Sequence, residues 1–359
     1  MKIAIDSRAA KFTGMGNYTR KIIDTFSKLY AEDELLLYDD ALMVNRSSLK
    51  EQYFNNFNRI FKEQVLLPKW LKENSVDVFF SPRNKGIPFF SPCPSVVTIH
   101  DVLPYAFPKQ YFSSVLERYY YDIFLSIAAK RSKVILTDSY FSQREIVKYV
   151  GVSASKCEVV YLGYNEMFRC ERDDVKFDWL KSEIGLAKPY LISIGGSEYR
   201  KNIRQLIHVF LSKFKDKYDL VVIGGKWRNV DLASEFAAEK SLHFVNQISD
   251  EDMVCLYNYA EVFVFPSLYE GFGMPILEAM ACGLPVIASS TTSIPEVTGD
   301  CARLVDPYSA DDLYFNIECV LDDRVLRDEL KMMGLERVNL FSWQRTTRMI
   351  KDIFLNVMR

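Results

Sequence analysis

Two glutamates flank a glycine-rich turn in the second half of the chain. They belong to one short segment, which also holds two glycines and a proline: Glu270, Gly271, Gly273, Pro275 and Glu278. Glycine permits unusual backbone angles and close approach of a ligand, and the N–H groups at a helix start suit a diphosphate. A carboxylate repels a diphosphate but accepts hydrogen bonds from sugar hydroxyls. The alternative is a glycine turn whose carboxylate only complements a helix dipole.

A pair of cations, Arg200 and Lys201, follows a glycine pair earlier in the same half. The two glycines, Gly195 and Gly196, end an apolar run, and a helical pattern begins directly after the cations. Cations at such a place neutralise the charge that builds up on a departing diphosphate, an electrostatic task that dominates many group transfers. A solvated basic turn is the alternative interpretation.

The first half contributes a glycine pair and a histidine. Gly14 and Gly16 stand between the first apolar run and a helical stretch, and Gly-x-Gly without a third glycine is weak evidence for a dinucleotide site. The alternative is a phosphate-facing loop. His100 and Asp101 end another apolar run, at the edge where open α/β sheets place their ligands. Asp101 either orients His100 or faces a second substrate.

Other polar residues are better explained by structure. His208 lies inside an amphipathic helical pattern and His243 inside a strand-like run, positions at which histidine is more often structural than catalytic. Asp250-Glu-Asp252 has the Asp-x-Asp form that holds metal-bridged diphosphates in other proteins, but Ser249 precedes it and a helix follows. We interpret Ser249 to Asp252 as a capping box, and no metal is expected.

The elements that position these residues are predicted from periodicity. Short apolar runs rich in β-branched residues alternate with stretches of helical period, the pattern of parallel α/β sheets. Two series of six strands are expected, one in each half: Lys2–Asp6, Leu35–Tyr38, Asp77–Ser81, Ser95–Asp101, Lys133–Ser139 and Cys157–Leu162, then Pro189–Gly195, Asp219–Gly224, Leu242–Val245, Glu261–Ser267, Leu284–Ser289 and Ala302–Val305. The simplest architecture is an α/β fold of two Rossmann-like, doubly wound domains that face one another across a cleft.

A polar, charged interval at Arg169–Lys176 is typical of an interdomain connection. We therefore expect an N-terminal domain over residues 1–168 and a C-terminal domain over residues 177–343. Helices are predicted between the strands, and the main ones are Asn17–Tyr30, Gln64–Glu73, Phe112–Lys130, Ser142–Val150, Asn202–Lys213, Asp250–Tyr259, Pro275–Ala281 and Trp343–Met358.

Composition excludes several classes of protein. The 359 residues are too many for one typical domain, and 49% hydrophobic with 26% charged residues is ordinary for a soluble enzyme. A net charge of −2 leaves no global basic field of the kind that nucleic-acid binders show. The seven cysteines include no C-x-x-C pair, and no apolar run reaches the roughly 18 residues that span a bilayer. We expect a cytoplasmic protein without disulfides, either soluble or peripherally attached to a membrane.

The segment Phe265–Pro285 resembles the Glu-x7-Glu signature of the retaining glycosyltransferases of family 4, whose fold is called GT-B. Glu270 and Glu278 have the required separation, and the likeness continues through Ser293–Val297 to Leu304–Pro307. By that resemblance Glu270 contacts the transferred sugar, and Glu278 holds the ribose hydroxyls of the nucleotide. Backbone contacts to the donor are implied for the residues that follow Glu270, namely Gly271, Phe272, Gly273 and Met274.

The cations after the glycine pair also resemble a family motif. Arg200 and Lys201, with the asparagine after them, are similar to the family's Arg-Lys-Asn sequence. Many relatives carry an arginine where this chain has Gly196, so Arg200 either takes its place or does not. Lys201 is the safer assignment of the two.

The first half resembles the family more loosely. The family has a glycine-rich loop at the place of Gly14 and Gly16, and we assign these two glycines as binding residues on the donor or acceptor side of the cleft. The family also has a histidine near the donor sugar at the place of His100. Phe61–Lys72 resembles a recurring helix of the mannosyl- and rhamnosyltransferase-type members, which either borders the acceptor path or packs on the sheet. The family's last helix commonly crosses back, so residues 344–359 are expected to complete the N-terminal domain.

The resemblance implies transfer of a hexose, with its anomeric configuration kept, from a nucleoside diphosphate sugar to a hydroxyl of a glycan or lipid-linked glycan acceptor. GDP-mannose is the favoured donor, UDP-glucose is next and dTDP-rhamnose is third, and the base is expected near Val245–Ile248 and Tyr257. Neither a cofactor nor a metal ion is expected. Three alternatives fit less well: a sugar-nucleotide 2-epimerase lacks the Glu-x7-Glu context, a non-catalytic partner subunit would have lost residues such as Lys201, and an NAD oxidoreductase needs a complete Gly-x-Gly-x-x-Gly.

Overall fold

A computed structural model of the chain describes residues 1–11, 14–39 and 60–359. Thr13, which precedes the glycine pair Gly14 and Gly16, lies outside the described residues. The described chain divides into two compact units, and each has its own parallel sheet. The first unit is Met1–Gly163 with Trp343–Arg359, and the second is Tyr164–Ser342. Among the described residues, no helix is both long and apolar enough to cross a membrane.

The first unit is built on a parallel sheet of six strands in the order β2-β1-β3-β4-β5-β6. The strands are β1 (Lys2–Asp6), β2 (Glu34–Tyr38), β3 (Val78–Ser81), β4 (Ser95–Thr98), β5 (Val134–Thr137) and β6 (Cys157–Val159). Strands β3 and β4 are buried along their whole length, as continuous apolar runs are when helices cover both faces of a sheet. The expected strand Ser95–Asp101 stops at Thr98, so His100 and Asp101 lie in the loop beyond its carboxyl end.

Helices alternate with the strands of the first unit, and short 3-10 or π-helical turns stand between some of them. The helices are Gly14–Leu29, Leu67–Glu73, Leu103–Ala106, Pro108–Tyr111, Val115–Arg131, Tyr140–Val150 and Trp343–Met358, with 3-10 turns at Ser7–Lys11 and Ala154–Lys156 and a π-helical turn at Lys62–Leu66. The side chain of Ser114 accepts a hydrogen bond from the N–H of Glu117 at the start of one helix, and Ser139 caps the next in the same way. Such caps satisfy N–H groups that a helix start leaves unpaired.

The helix Trp343–Met358 packs on the first unit, although it follows the second unit in sequence. The ring of Phe354 lies 6.2 Å from that of Phe26 and 5.4 Å from that of Phe80, between ring centroids. The hydroxyl of Thr346 donates a 2.6 Å hydrogen bond to a backbone carbonyl of the same unit. Because this amphipathic helix buries its apolar face there, the first unit is discontinuous in sequence.

The second unit is built on a second parallel sheet, in the order β12-β11-β10-β7-β8-β9. Its strands are β7 (Tyr190–Ile194), β8 (Asp219–Ile223), β9 (Leu242–Val245), β10 (Val262–Phe265), β11 (Val286–Ser289) and β12 (Arg303–Val305). Its helices are Asp174–Ile184, Ile203–Lys213, Leu232–Glu235, Asp250–Tyr259, Met274–Ala281, Ile294–Thr298, Ala310–Asp322 and Arg324–Arg337, with 3-10 turns at Tyr199–Lys201 and Val338–Leu340. Its core joins Leu191, Val222 and Val264 of the sheet to Leu206 and Phe210 of one helix.

The polar interval Arg169–Lys176, expected as an interdomain connection, lies inside the second unit. The side-chain amide of Asn258 donates to the carbonyl of Arg169 and accepts from the N–H of Glu171, at 2.9 Å each. These bonds tie the interval to the helix Asp250–Tyr259. The boundary between the units therefore follows Gly163, earlier than the expected end of the N-terminal domain at residue 168.

Each sheet has a point at which the strand order reverses. In the first sheet this switch point lies between β1 and β3, and in the second sheet between β7 and β10. Loops at the carboxyl ends of two such strands diverge and leave a crevice, and open α/β sheets bind ligands there. The fold thus directs the residues after β1 and β3 to one crevice, and those after β7 and β10 to the other.

Candidate functional site

The cations after β7 and the glutamate after β10 meet at the switch point of the second sheet. One oxygen of the Glu270 carboxylate, Oε1, lies 2.8 Å from Lys201 Nζ, and Oε2 lies 2.6 Å from Arg200 Nη1. Arg200 also donates to the carbonyl of Tyr269 at 3.1 Å and pairs with Glu198 at 2.8 Å. We call Glu198, Arg200, Lys201 and Glu270 the β7–β10 cluster. The fold brings these side chains together from two loops that are far apart in sequence.

Burial and charge set the ionisation of the β7–β10 cluster. Burial alone raises the pKa of the Glu270 carboxyl, but Arg200 and Lys201 outweigh it and lower that pKa to about 2. Burial lowers the pKa of Lys201, and the charge of Glu270 opposes that change. The Lys201 ammonium also lies 4.5 Å from the centroid of the Phe265 ring, whose face attracts a cation. Glu270 is therefore a carboxylate, a hydrogen-bond acceptor, throughout the neutral pH range.

Glycines at the ends of β7 and β8 make room for this arrangement. A Cβ on Gly195, which has φ +144°, would lie 2.3 Å from Cγ of Lys201. A Cβ on Gly196, which has φ +52°, would lie 2.3 Å from the carbonyl oxygen of Gly225 in the loop after β8. Both backbone angles also favour glycine. The arginine that many relatives carry at the place of Gly196 would therefore collide with backbone in this loop.

The turn after Glu270 is held by two hydroxyl residues of a neighbouring loop. Ser293 Oγ lies 2.9 Å from the carbonyl oxygens of both Glu270 and Phe272, and its one hydroxyl hydrogen is shared between them. The N–H of Glu270 donates to Thr292 Oγ1 at 3.3 Å. Ser293 belongs to the stretch Ser293–Val297, which resembles the family in sequence. The sequence does not show that Ser293 supports this turn. These bonds fix the backbone that carries Glu270.

The helix behind the turn starts at Met274, one residue before the expected Pro275. Gly273 precedes it with φ +113°, and no side chain among the described residues caps this start. A helix start without a side-chain cap leaves N–H groups for an anion. Because the helix begins one residue earlier than expected, Glu278 is its fifth residue and lies in its second turn.

Burial dominates the environment of Glu278 and Tyr257. It raises the pKa of Glu278 to about 7, with a further contribution from Asp250. Tyr257 is 1% exposed, and its ring packs against Phe168 and Phe263. Its hydroxyl has no hydrogen-bond partner among the described residues. Burial raises the pKa of this hydroxyl, and the nearby Glu278 adds to that shift, so Tyr257 is a core residue beside Glu278.

An open groove of about 730 Å³ lies at the carboxyl end of β9. Its walls come from the helix Asp174–Ile184, from residues 243–249 and from Asp252. Val245–Ile248, where a base pocket is predicted, line this groove, whereas Tyr257 does not. The structure thus separates Tyr257 from the other residues of the predicted pocket, because its ring fills the core.

His100 follows β4 in the first unit and is paired with a residue that the sequence analysis does not single out. Its Nδ1 lies 2.7 Å from Oδ2 of Asp138, the first residue after β5. Asp101 Oδ1 instead accepts from the N–H of Leu103 at 3.0 Å. A signal exists in the sequence, because His100 and Asp138 each lie near the carboxyl end of a predicted strand, and adjacent parallel strands end at one edge.

Gly14 and Gly16 lie in a helix and not in the expected loop. The helix Gly14–Leu29 begins at Gly14, before the expected start at Asn17, and Gly16 is in its first turn. The amphipathic run beyond them buries Tyr18, Ile22 and other residues of its apolar face, and that packing stabilises helix up to the glycines. The two glycines therefore lie at the start of the helix that follows β1 in the chain.

A buried ion cluster occupies the switch point of the first sheet, and we call it the β1–β3 cluster: Asp6, Arg8, Glu63 and Arg83. Oδ2 of Asp6 lies 2.8 Å from Arg8 Nη2 and 2.9 Å from Arg83 Nη2, and Oε1 of Glu63 lies 3.3 and 3.1 Å from the same two arginines. Burial raises the pKa of Asp6, but the two arginines outweigh it and lower that pKa. The β1–β3 cluster has no signature in the sequence, because its members come from distant segments and form no motif.

The segment Phe61–Lys72 packs on the first sheet, which is one of its two expected roles. Leu67 and Leu71 are 0% and 1% exposed and share a core with Phe79 of β3. Glu63, in the π-helical turn at the start of the segment, belongs to the β1–β3 cluster. Burial of both apolar and charged side chains fixes this segment to the unit.

The remaining polar residues singled out in the sequence have structural partners. Ser249 Oγ accepts from the N–H of Asp252 at 3.1 Å, which confirms the capping interpretation. His243 Nδ1 lies 2.9 Å from the carbonyl oxygen of Ile184, and the exposed His208 packs its ring on Phe236. Among the described residues, no group of three or more His, Cys, Asp or Glu side chains is arranged to hold a metal ion.

The chain is similar to known proteins over both of its halves. The family model described as Glycosyltransferase Family 4 matches residues 29–167, and the model described as Glycosyl transferases group 1 matches residues 177–336. The O-antigen chain mannosyltransferase B of Escherichia coli is 28% identical over 97% of both chains. The serotype-specific mannosyltransferase WbdA of Escherichia coli is 28% identical over 75% of this chain, which spans 34% of the length of that protein.

The fold is similar to that of solved structures. HepE of Anabaena, in complex with UDP-glucose, has a TM-score of 0.73 at 16% identity, over 99% of this chain and 100% of that one. Likeness at this identity shows the fold, which is GT-B. The two family models together account for most of the chain, one over each half. The chain therefore belongs to the glycosyltransferases of family 4 with the GT-B fold.

Proposed function

We propose that this chain transfers a hexose from a nucleoside diphosphate sugar to a hydroxyl of a glycan or lipid-linked glycan, with retention of configuration and without a metal ion. The observation that carries the proposal is the β7–β10 cluster. Two cations and a carboxylate lie at the crevice where an open α/β sheet binds ligands. The loop that carries Glu270 leads directly into a helix, and no side chain among the described residues caps the start of that helix.

The donor we favour is GDP-mannose, with UDP-glucose next and dTDP-rhamnose third. Support for mannose comes from relatives named as mannosyltransferases, one of which matches nearly the whole chain. Support for a nucleotide sugar in general comes from HepE, a protein of similar fold that was solved with UDP-glucose. The groove beside Val245–Ile248 is our proposed place for the base.

In the proposed reaction the bond from the anomeric carbon to the diphosphate oxygen breaks, and a bond to the acceptor oxygen forms on the same face. The acceptor proton passes to the departing diphosphate. Lys201 and Arg200 stabilise the negative charge on that diphosphate, and Arg200 takes the place of the arginine that relatives carry where this chain has Gly196. The ionised Glu270 accepts hydrogen bonds from the sugar. Glu278 binds the ribose, and His100 contacts the sugar as well.

We propose a cytoplasmic location with peripheral membrane contact, where a lipid-linked acceptor is within reach. All seven cysteines are free, as suits a reducing compartment.

The test is binding and slow hydrolysis of GDP-mannose, UDP-glucose and dTDP-rhamnose by the purified protein, each with and without EDTA. Lys201→Ala is expected to lower the rate of donor cleavage by about 100- to 1,000-fold, as loss of one charge-stabilising donor does in other enzymes. Lys217→Ala, at an exposed lysine of the same unit, is the matched control.

One donor should bind and be cleaved at the same rate with EDTA present. The proposal fails if none of the three donors binds, or if Lys201→Ala and Lys217→Ala cleave the donor equally fast. A rate that EDTA abolishes would overturn the metal-free part alone.

A further inference from the structure

The loops after β4 and β5 bring a histidine and an aspartate into direct contact in the first unit. The two strands are adjacent and parallel, with Thr98 opposite Leu136. His100 lies two residues beyond one strand and Asp138 one residue beyond the other. The resulting Nδ1 to Oδ2 distance is 2.7 Å, and the Asp138 side chain is 6% exposed.

The His100 ring is fixed on its other sides as well. The Tyr18 ring packs against it in a T-shaped arrangement, with 4.7 Å between centroids and an interplanar angle of 88°. Tyr18 is itself held by a 3.1 Å hydrogen bond to Thr98 Oγ1. The backbone N–H of His100 donates to Asn84 Oδ1 at 3.2 Å. The ring therefore has one orientation in this fold.

The other ring nitrogen of His100, Nε2, is buried and makes no hydrogen bond of ordinary geometry among the described residues, although the carbonyl of Pro82 lies near the ring. A buried nitrogen without a partner costs free energy, so it marks a place where a ligand group completes the hydrogen bonding. The Asp138 carboxylate accepts a hydrogen bond from Nδ1–H and leaves Nε2 for that ligand.

The groups around the ring favour its charged form. Burial lowers the pKa of His100, but the charge and hydrogen bond of Asp138, with help from Asp101 and the carbonyl of Pro82, raise that pKa above its ordinary value. Tyr18, on the helix that packs against the ring, stays neutral because burial raises the pKa of its hydroxyl far above neutral pH. Charged His100 carries a proton on Nε2 and is a donor there.

We propose that Asp138 is a positioning residue: it holds His100 in one orientation with a proton on each ring nitrogen, so that Nε2–H donates to an oxygen of the bound nucleotide sugar. Asp138 contacts no substrate and acts only through His100. The proposal rests on the function proposed above for its ligand, but the His100–Asp138 pair is measurable without any substrate.

The first experiment is a pH titration of the histidine ring signals by NMR. The chain has three histidines, so His100→Gln identifies the signal of His100. In Asp138→Asn the pKa of His100 is expected to fall by at least about one unit, because a carboxylate in contact with the ring has been replaced by a neutral amide. Asp24→Asn, at an exposed aspartate of the same unit, is the control and should leave that pKa unchanged. An unchanged pKa in Asp138→Asn overturns the pairing, whether or not the protein cleaves any donor.

The second experiment measures kcat and KM for donor cleavage against pH. Asp138→Asn should lower kcat/KM by about 10- to 100-fold, the loss seen when the hydrogen-bond partner of a metal-ligating histidine is removed. It should also move the inflection due to His100 to lower pH. Combined with His100→Gln, it should add no further loss, because it acts through His100. A further loss in the double variant, or unchanged kcat/KM in Asp138→Asn, overturns the positioning role. If wild-type protein cleaves no donor while the NMR pairing holds, the proposed function fails and the assigned sugar contact fails with it.

Discussion

The two switch points of the molecule carry clusters of the same composition in different surroundings. Each cluster has two cations and two carboxylates beside the carboxyl ends of the strands that flank the reversal. In the β1–β3 cluster the side chains are sealed, at 0 to 9% exposure. In the β7–β10 cluster Arg200 and Glu198 remain 19% and 23% exposed. Accessibility, and not composition, separates the two.

This difference in solvent exposure indicates a different role for each cluster. A pair of arginines buried between two carboxylates is shielded from solvent, and removal of one arginine leaves buried carboxylate charge without its partner. The β7–β10 cluster lies among glycines whose missing side chains open the backbone, and beside an uncapped helix start. We infer that the first cluster holds the unit together and that the second exchanges partners when a diphosphate arrives.

The largest expected effect is on stability, from Arg83→Ala in the β1–β3 cluster. The substitution leaves Asp6 and Glu63 with one arginine between them in a buried site, which is expected to cost about 3 kcal/mol of the free energy of unfolding. Urea unfolding measures it, with Arg144→Ala at an exposed arginine of the same unit as control.

Lys201→Ala sharpens the same comparison, because Glu270 keeps Arg200 as a partner. It should lose much less stability than Arg83→Ala while donor cleavage falls. Equal losses of stability in the two variants would contradict the division of roles between the clusters.

A smaller effect is expected from Gly196→Ala, which tests whether the glycine loop shapes the β7–β10 cluster. The new Cβ would meet the Gly225 carbonyl oxygen at 2.3 Å, and backbone on both sides must shift. We expect a loss of about 2 kcal/mol of stability, together with slower donor cleavage.

Gly185→Ala is the matched control for this substitution. Gly185 also has a positive φ, of +82°, but nothing lies within 4 Å of its added Cβ. Gly185→Ala therefore measures backbone strain alone, which is expected to lower the free energy of unfolding by about 1 kcal/mol. Donor cleavage should be unchanged in this variant. If the two glycine variants are equally stable and equally active, the collision at Gly196 has no role.

The sequence reveals the parts of the site that local patterns encode. Periodicity predicts the strands and most helices. Glycines stand a few residues from Glu270, and a second pair of glycines stands a few residues from Lys201, and each of these patterns predicts part of the site. Partners that meet through the sheet have no such signature: Asp138 finds His100 only because β4 and β5 are neighbours. Glu63 joins Asp6 only through Arg8 and Arg83, which both carboxylates contact.

Packing outweighs local tendency at several residues that stand out in the sequence. Gly14 and Gly16 were expected in a loop, but the apolar face of the following helix extends the helix through them. Tyr257 was expected at the base pocket, but its ring fits the core between Phe168 and Phe263. The residue types of a glycine pair or of an aromatic side chain do not predict which residues will surround them in the fold.

The smallest effect concerns the two glutamates of the Glu-x7-Glu pattern, which the structure gives opposite acidities. The pKa of Glu270 is lowered to about 2, so its contribution to stability is complete above its ordinary value of 4.5 and is lost as the pH falls towards 2. The pKa of Glu278 is raised to about 7, so the folded state binds its proton more tightly than the unfolded state does. Stability is therefore expected to decline as the pH rises from about 4.5 through 7.

Glu278→Gln removes that decline, because glutamine has no proton to lose. Part of the Glu278 side chain meets solvent, so we expect the variant to gain about 1 kcal/mol relative to wild type at pH 8 and nothing at pH 4. Thermal unfolding at both pH values measures the difference, with Glu329→Gln at an exposed glutamate of the same unit as control. A gain that is the same at pH 4 and pH 8 would show that the carboxyl is not the group that titrates. A gain confined to high pH means that ligand-free Glu278 prefers its proton, so a hydroxyl donor such as ribose would stabilise the carboxylate and binding would release that proton.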